Sequence, residues 1–223
     1  MNKSKLSQIT SLVSTNLRST NLKMLRNLLL GIFILSALPS LSETSSSPVE
    51  GKDYVLLESP STESSEIVIY CWLGSASCYQ VEYALSIWAQ DSNLSVRYKP
   101  LIKRPHWRLL AKARLVARQL GQEPEFVSAI YQALHREQKS IQDEQSLFAM
   151  VEAMGLPASR FSNLFYAPET NQALKVLQEE AEKWPISGVP TIIIKQRWLL
   201  DATMHNNSRS IIDTINFLIQ QEG

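Results

Sequence analysis

Cysteine and glycine are scarce in this chain of 223 residues, with two of the first and seven of the second. Two cysteines cannot build an all-cysteine zinc site. The three histidines, His106, His135 and His205, show no H-x-x-x-H or H-E-x-x-H spacing that would complete a mixed one, so no metal is expected. An excess of one charge is also missing. Lys and Arg number 22 against 21 Asp and Glu, a formal net of +1, which excludes the global basic field behind non-specific nucleic-acid affinity. No nucleic-acid partner is expected. What remains is ordinary globular composition, 44% hydrophobic and 19% charged, in a chain long enough to bury a core without disulfides.

The N-terminus reads as an address. Leu28 to Leu38 (LLLGIFILSAL) is an apolar run preceded by Lys23 and Arg26 and followed by Pro39 and a Ser/Thr-rich stretch. At about 11 residues it falls short of the roughly 20 that a spanning helix needs. Ser40 and Ser42 supply the small residues before a cleavage site after Ser42, so residues 1–42 are expected to be a signal peptide, with Met24 as an alternative start. Residues 43–52 (ETSSSPVEGK) read as a flexible lead-in. The mature protein is therefore expected to be exported, in the periplasm or an equivalent compartment.

Hydrophobic periodicity orders the rest. Tyr54 to Leu57 is a short strand candidate stopped by Pro60, and Glu66 to Leu73 (EIVIYCWL) has the continuous apolar pattern of a strand buried on both faces and placed centrally. After Gly74, the stretch Ser77 to Asp91 puts Val81, Ala84, Leu85 and Trp88 on one helical stripe, with Ser75 or Ser77 as the N-cap. Leu94 to Lys99 is a strand at βαβ spacing. From Arg108 to Trp184 the pattern is helical, broken near residues 121–124, 139–142, 155–157 and 167–168, which predicts four or five helices. Thr191 to Lys195 and Trp198 to Asp201 form a hairpin whose Lys195-Gln196 replaces the Asn-Gly of a tight turn. Ser208 to Gln221 ends the chain as an amphipathic helix. The order is βαβ, an all-helical block, then ββα, an α/β class.

Several stretches resemble the periplasmic disulfide oxidoreductases of the DsbA type. They are Gly51-Lys52-Asp53-Tyr54 with Leu57-Glu58-Ser59-Pro60, then Ser75-Ala76-Ser77-Cys78-Tyr79-Gln80, Ser140 to Gly155, and Gly188-Val189-Pro190-Thr191. The resemblance implies a thioredoxin fold with an inserted helical domain: residues 53–103 and 185–223 forming the thioredoxin part, 104–184 the insertion. In that family the site is Cys-x-x-Cys, the first Cys ionised at a helix N-terminus and attacking, the second resolving the mixed disulfide. Here the first position is Ser75 and the second Cys78, so the nucleophile is missing. The intervening pair is Ala76-Ser77 where the family often carries His, and the buried acid of some members falls on Ile69.

Two readings of Cys71 stay open. It is a small buried hydrophobe, as free cysteine usually is. Alternatively, strand parity puts it on the face of Ile69 and Leu73, beneath the second-cysteine position of thioredoxin folds, where a buried, structural disulfide to Cys78 forms if the Cα atoms lie within about 7 Å. Cys78 alone reads as an inert first-turn residue or, if partly exposed, as a thiol for mixed disulfides. The resemblance implies a cis bond between Val189 and Pro190 and strand-like pairing of that loop with an extended segment of an exported client protein. The competing reading makes Pro190 the start of a strand. Arg104, Arg108, Lys112, Arg114 and Arg118 read as a solvated basic face.

The expected function is that of a DsbA-like thiol-disulfide interchange protein with a degenerate site: peptide binding kept, oxidase activity weak or absent, no cofactor. The family admits a redox partner in the membrane, and a monomer is expected. Catalytic competence is left open. One alternative is a glutathione-dependent enzyme resembling the kappa-class glutathione transferases, with Ser75 bonding the glutathione thiolate. The other is a non-catalytic peptide-binding or chaperone module.

Overall fold

A computed structural model describes residues 47–58, 66–92 and 94–221, within one compact unit from Ser47 to Gly223. The expected signal peptide, the alternative start at Met24, residues 43–46 of the lead-in and Pro60 lie outside the described residues. Five strands form one sheet in the order β1-β5-β4-β2-β3: β1 (Val55–Leu56), β2 (Glu66–Cys71), β3 (Ser95–Pro100), β4 (Thr191–Ile194) and β5 (Trp198–Asp201). Only β2 and β3 run parallel, joined across helix α1 (Ala76–Asp91) as the βαβ spacing predicts. β2 is interior and almost wholly buried, but the central place belongs to β4, which pairs with both β2 and β5.

Parity along β2 divides the core. Ile67, Ile69, Cys71 and Leu73 pack under α1 with Cys78, Val81 and Leu85, while Val68 and Tyr70 face a second cluster with Leu101, Trp107, Ile193 and Leu199. Helix α7 (Ser208–Gln220) lays Ile211, Ile215 and Leu218 on the first cluster, and Trp88 of α1 donates its indole N–H to Asn216 Oδ1 at 3.0 Å.

Between β3 and β4 lie helices α2 (Arg108–Gln119), α3 (Glu123–Tyr131), α4 (Glu144–Ala153), α5 (Ala158–Tyr166) and α6 (Pro168–Ala181). Caps mark several of their ends. Asp143 and Ser146 form a capping box at α4, Pro124 and Pro168 stand in the first turns of α3 and α6, and Gly121 and Gly155 take positive φ at the ends of α2 and α4.

The expected solvated basic face forms only in part. Arg114 is 2% exposed, donating in bidentate fashion to Glu82 of α1 (2.8 and 3.0 Å) and through Nε to Glu123 of α3 (2.8 Å). Arg118 bonds both Glu123 oxygens and the Tyr98 carbonyl, and Tyr131 donates its hydroxyl to Glu82 at 2.8 Å. Lys112 lies 4.2 Å over the Phe165 ring. Arg104 and Arg108 alone of the five stay exposed. Arg114 sits among Ala113, Leu115, Val116 and Ala117, all buried, on the side of the helix turned away from exposed Arg108 and Gln119. Burial by itself lowers the Arg114 pKa, but the Glu82 and Glu123 carboxylates reverse this and hold it above its ordinary value. Burial, and then the Glu82 charge, raises Tyr131.

Lys195 and Gln196 both adopt φ near +50° (50° and 53°), the geometry of a type I′ turn without the residues that favour it. Gln196→Gly is expected to raise unfolding free energy by about 1 kcal/mol, read from urea midpoints. Glu82→Ala strips Arg114 of its bidentate partner and is expected to cost about 3–5 kcal/mol. In the same melts, Lys175→Ala, which removes an exposed pair with Glu179, leaves the midpoint unchanged.

Candidate active site

One end of the sheet gathers the residues singled out above. β2 ends at Cys71 beside Pro100 of β3, and the antiparallel register pairs Tyr70 with Thr191, so Pro190 enters β4 where β2 leaves the sheet. The same register brings Asp201, the last residue of β5, opposite Thr191.

From Cys71 the chain turns through Trp72, Leu73 and Gly74 into α1. Ser75 is the N-cap: its backbone is extended, its Oγ accepts the Cys78 N–H at 3.3 Å, and its carbonyl accepts the Tyr79 N–H at 3.1 Å. The Ser75 N–H in turn donates to the Trp72 carbonyl at 2.9 Å, which closes the turn. Gly74 is required by space. A Cβ there would come 2.2 Å from Trp72 Cζ2, because the Trp72 indole folds over it and stacks on Trp107 at 4.7 Å.

Cys71 and Cys78 form a disulfide, with Cα atoms 5.7 Å apart and a sequence separation of 7. Of the two readings of Cys71, the paired one is the arrangement found. Cys71 is 1% exposed and Cys78 0%, so the bridge is sealed under the first turn of α1. Cys78 Sγ also accepts the Trp72 N–H at 3.4 Å. Ile69 lies in the same core layer with no exposure, so the position of a buried acid is filled by hydrocarbon. His135 Nε2 meets the Leu73 carbonyl at 3.0 Å; a carbonyl only accepts, so this nitrogen carries a proton and pins the loop.

The peptide bond between Val189 and Pro190 is cis. Val189 is partly buried against both core clusters, the Gly188 carbonyl accepts from Thr191 Oγ1 at 2.9 Å, and the Pro190 carbonyl accepts the Ala202 N–H at 3.1 Å. Two side chains that the sequence reading passed over hold this loop. Lys103 Nζ donates to the carbonyls of Ile186 and, at 3.0 Å, Ser187. Asp201 Oδ2 accepts from Ser187 Oγ, while its Oδ1 accepts from the Thr203 N–H and Oγ1, both at 2.9 Å. An aspartate closing an apolar strand just before Ala-Thr was the available signal for the second.

Burial works against the charge on Asp201, but the Ser187 and Thr203 hydrogen bonds and the Lys103 charge outweigh it and hold the carboxyl below its usual range. A depressed native pKa contributes stability that is present above the unfolded value, about 3.9, and lost as pH falls through the native one. The urea midpoint of the wild type is therefore expected to drop as the pH is lowered from about 4. In Asp201→Asn the midpoint is lower at neutral pH and the acid-induced drop is smaller.

The family described as the DSBA-like thioredoxin domain matches residues 79–213, more than half of the chain. The match begins one residue after Cys78. Among curated proteins, the thiol:disulfide interchange protein DsbA of Burkholderia cepacia is 24% identical over 210 residues, covering 89% of this chain and 96% of its own. The Pseudomonas aeruginosa protein of the same description is 22% identical over 209 residues, covering 89% and 97%. The crystal structure of Pseudomonas aeruginosa DsbA superposes with a TM-score of 0.70 at 20% identity, over 78% of this chain and 94% of that one. A cysteine-to-serine variant of Proteus mirabilis DsbA, solved with the non-covalently bound peptide PWATCDS, gives 0.63 at 18% identity over 78% and 100%.

Proposed function

The chain belongs to the DSBA-like thioredoxin domain family, and on that premise we propose that it is an exported member which binds extended segments of exported proteins and has given up the oxidase cycle. Cys78 carries the reading. An oxidase of this family needs a sulfur at the helix N-terminus that a client thiolate reaches, and exchange depends on that access. Here the N-terminal position offers a serine oxygen, already spent as a cap, and the remaining sulfur is bonded inward to Cys71. A bridge at 1% and 0% exposure works as a staple between β2 and α1. No membrane oxidant is then needed to recycle it, and the protein acts as a monomer.

Export is supported by the short apolar run at Leu28 to Leu38 and by the disulfide itself, since such bonds persist in oxidising compartments. Peptide binding is supported by the loop from Gly188 to Thr191, braced by Lys103 and Asp201 beside the end of β2. It is also supported by the Proteus mirabilis relative, which bears a serine for a cysteine and still holds a peptide without a covalent bond. Strand-like pairing uses the client backbone, which requires no thiol on either side.

Oxidative refolding of a reduced client protein tests the first half. Wild type is expected to match buffer alone, and the double variant S75C with C71A, which restores a two-thiol motif, to exceed it by more than about 10-fold. Wild-type turnover equal to that of the double variant would sink the reading. For the second half, PWATCDS and its alanine-for-cysteine analogue are titrated into isotope-labelled protein. Both are expected to shift the amides of Gly188, Val189 and Thr191. A response confined to other residues, or to the cysteine-containing peptide, overturns it.

A further inference from the structure

Charge is balanced over the whole chain but not along it. From Ser92 to Gln122 there is no acidic residue. The basic residues of that stretch fall into two groups. Arg97, Lys99, Arg114 and Arg118 are held in ion pairs by carboxylates of other elements, and Lys112 sits over the Phe165 ring. Arg104 and Arg108 are exposed, and among the described residues neither guanidinium takes part in an ion pair or a hydrogen bond. They flank the 3-10 turn Pro105–Trp107, and Arg108 opens α2, whose first turn carries no acidic residue. A guanidinium there faces the positive end of the helix dipole, a placement that costs stability unless an anion answers it.

The two arginines lie beside the peptide loop. Lys103, next to Arg104, donates to the Ser187 carbonyl at 3.0 Å, two residues before Val189. His106, between the arginines, stands edge-on to Trp72 with ring centroids 5.4 Å apart, and Trp72 leads into the Ser75 turn. Val189 and Trp72 both pack on the cluster that holds Trp107. The segment from Lys103 to Arg108 therefore bridges the loop at Val189 and the turn at Ser75. Among the described residues the N–H and C=O of Val189 have no hydrogen-bond partner, which leaves them for an incoming strand. The carboxylates near Lys103 are engaged: Asp201 by Ser187 and Thr203, and Glu182, which shares a cleft with Lys103, by the Gln178 amide at 3.5 Å.

We propose that the client segments bound at the Val189 loop are acidic, with Asp or Glu side chains flanking the paired stretch and seated on Arg104 and Arg108. This rests on peptide binding at that loop and adds its selectivity. Guanidinium and carboxylate match as planar, bidentate partners. A carboxylate at the start of α2 also meets the helix dipole with the favourable sign. Pairing through the main chain is blind to side-chain charge, so a charged flank supplies the choice of client. Arg104 and Arg108 fall short of the roughly four to eight basic residues of a membrane-binding cluster, which favours a peptide over anionic lipid.

The test uses the alanine-for-cysteine analogue of PWATCDS, extended at both ends by two glutamates or by two glutamines. Each peptide is titrated into isotope-labelled protein at about 50 mM and about 500 mM salt. Both are expected to shift the amides of Gly188, Val189 and Thr191. The glutamate peptide is expected to bind about 5-fold more tightly at the lower salt and to lose that advantage at the higher. Arg104→Gln combined with Arg108→Gln is expected to bring the glutamate peptide to the affinity of the glutamine peptide. The melting curve stays in place, since neither guanidinium has a partner to lose. Loop shifts with equal affinities for the two peptides, or a preference that survives in the double variant, overturn the proposal and leave peptide binding standing. Absence of loop shifts with either peptide overturns both. Co-sedimentation with phosphatidylglycerol vesicles covers the other occupant: none is expected, and binding that the double variant loses assigns the arginines to a membrane surface and overturns the proposal.

Discussion

The buried Arg114 guanidinium is the constraint on which the arrangement of the two halves turns. It reaches from α2 to Glu82 on α1 and to Glu123 on α3, so three helices from both sides of the β3 connection meet at one charge. Removing such a charge from water is costly, and only near-complete pairing makes it tolerable. Tyr131 and Arg118 complete the pairing by bonding the same two carboxylates. α1 is thereby held against the helical insertion, and α1 also carries Ser75 and Cys78 at its N-terminus. The position of the candidate site relative to the insertion is thus set by a buried ion cluster.

At the site itself, two changes act in the same direction. Serine at the N-cap places an oxygen at the helix N-terminus and uses it to satisfy a helix-end N–H. Cysteine at the end of β2 then takes the remaining sulfur into the core. The loop at Val189 and Pro190 is kept and doubly braced, by an ammonium on one side and a carboxylate on the other. The family scaffold persists around a site whose helix-end sulfur is bonded into the core.

Much of this was legible from the residues alone, for reasons that differ by element. β2 and α7 have long, clean periodicities, and their bounds fall within two residues of those expected. β5 is bounded by a turn and by Asp201, and its limits coincide with the reading. The hairpin turn was not readable, because Lys195 and Gln196 enter the left-handed region under the pull of a good β4–β5 register rather than by their own preference. Arg114 was misread for a related reason. Spacing of four along a helix reports which residues share a face, but whether that face meets water depends on what packs there.

The covalent character of the site belongs to the sequence alone: no packing turns the Ser75 oxygen into a sulfur, and the order βαβ, helices, ββα follows from local periodicity. Parity along β2 also assigned Cys71 to the face of Ile69 and Leu73, because successive side chains of a strand must alternate. Tertiary structure decided the rest. That Cys71 lies within bonding distance of Cys78, that Arg114 faces two carboxylates, and that Lys103 reaches the Ser187 carbonyl all depend on distances between segments far apart in the chain. Those distances are fixed by the packing of elements against one another, to which the local pattern of each segment is blind.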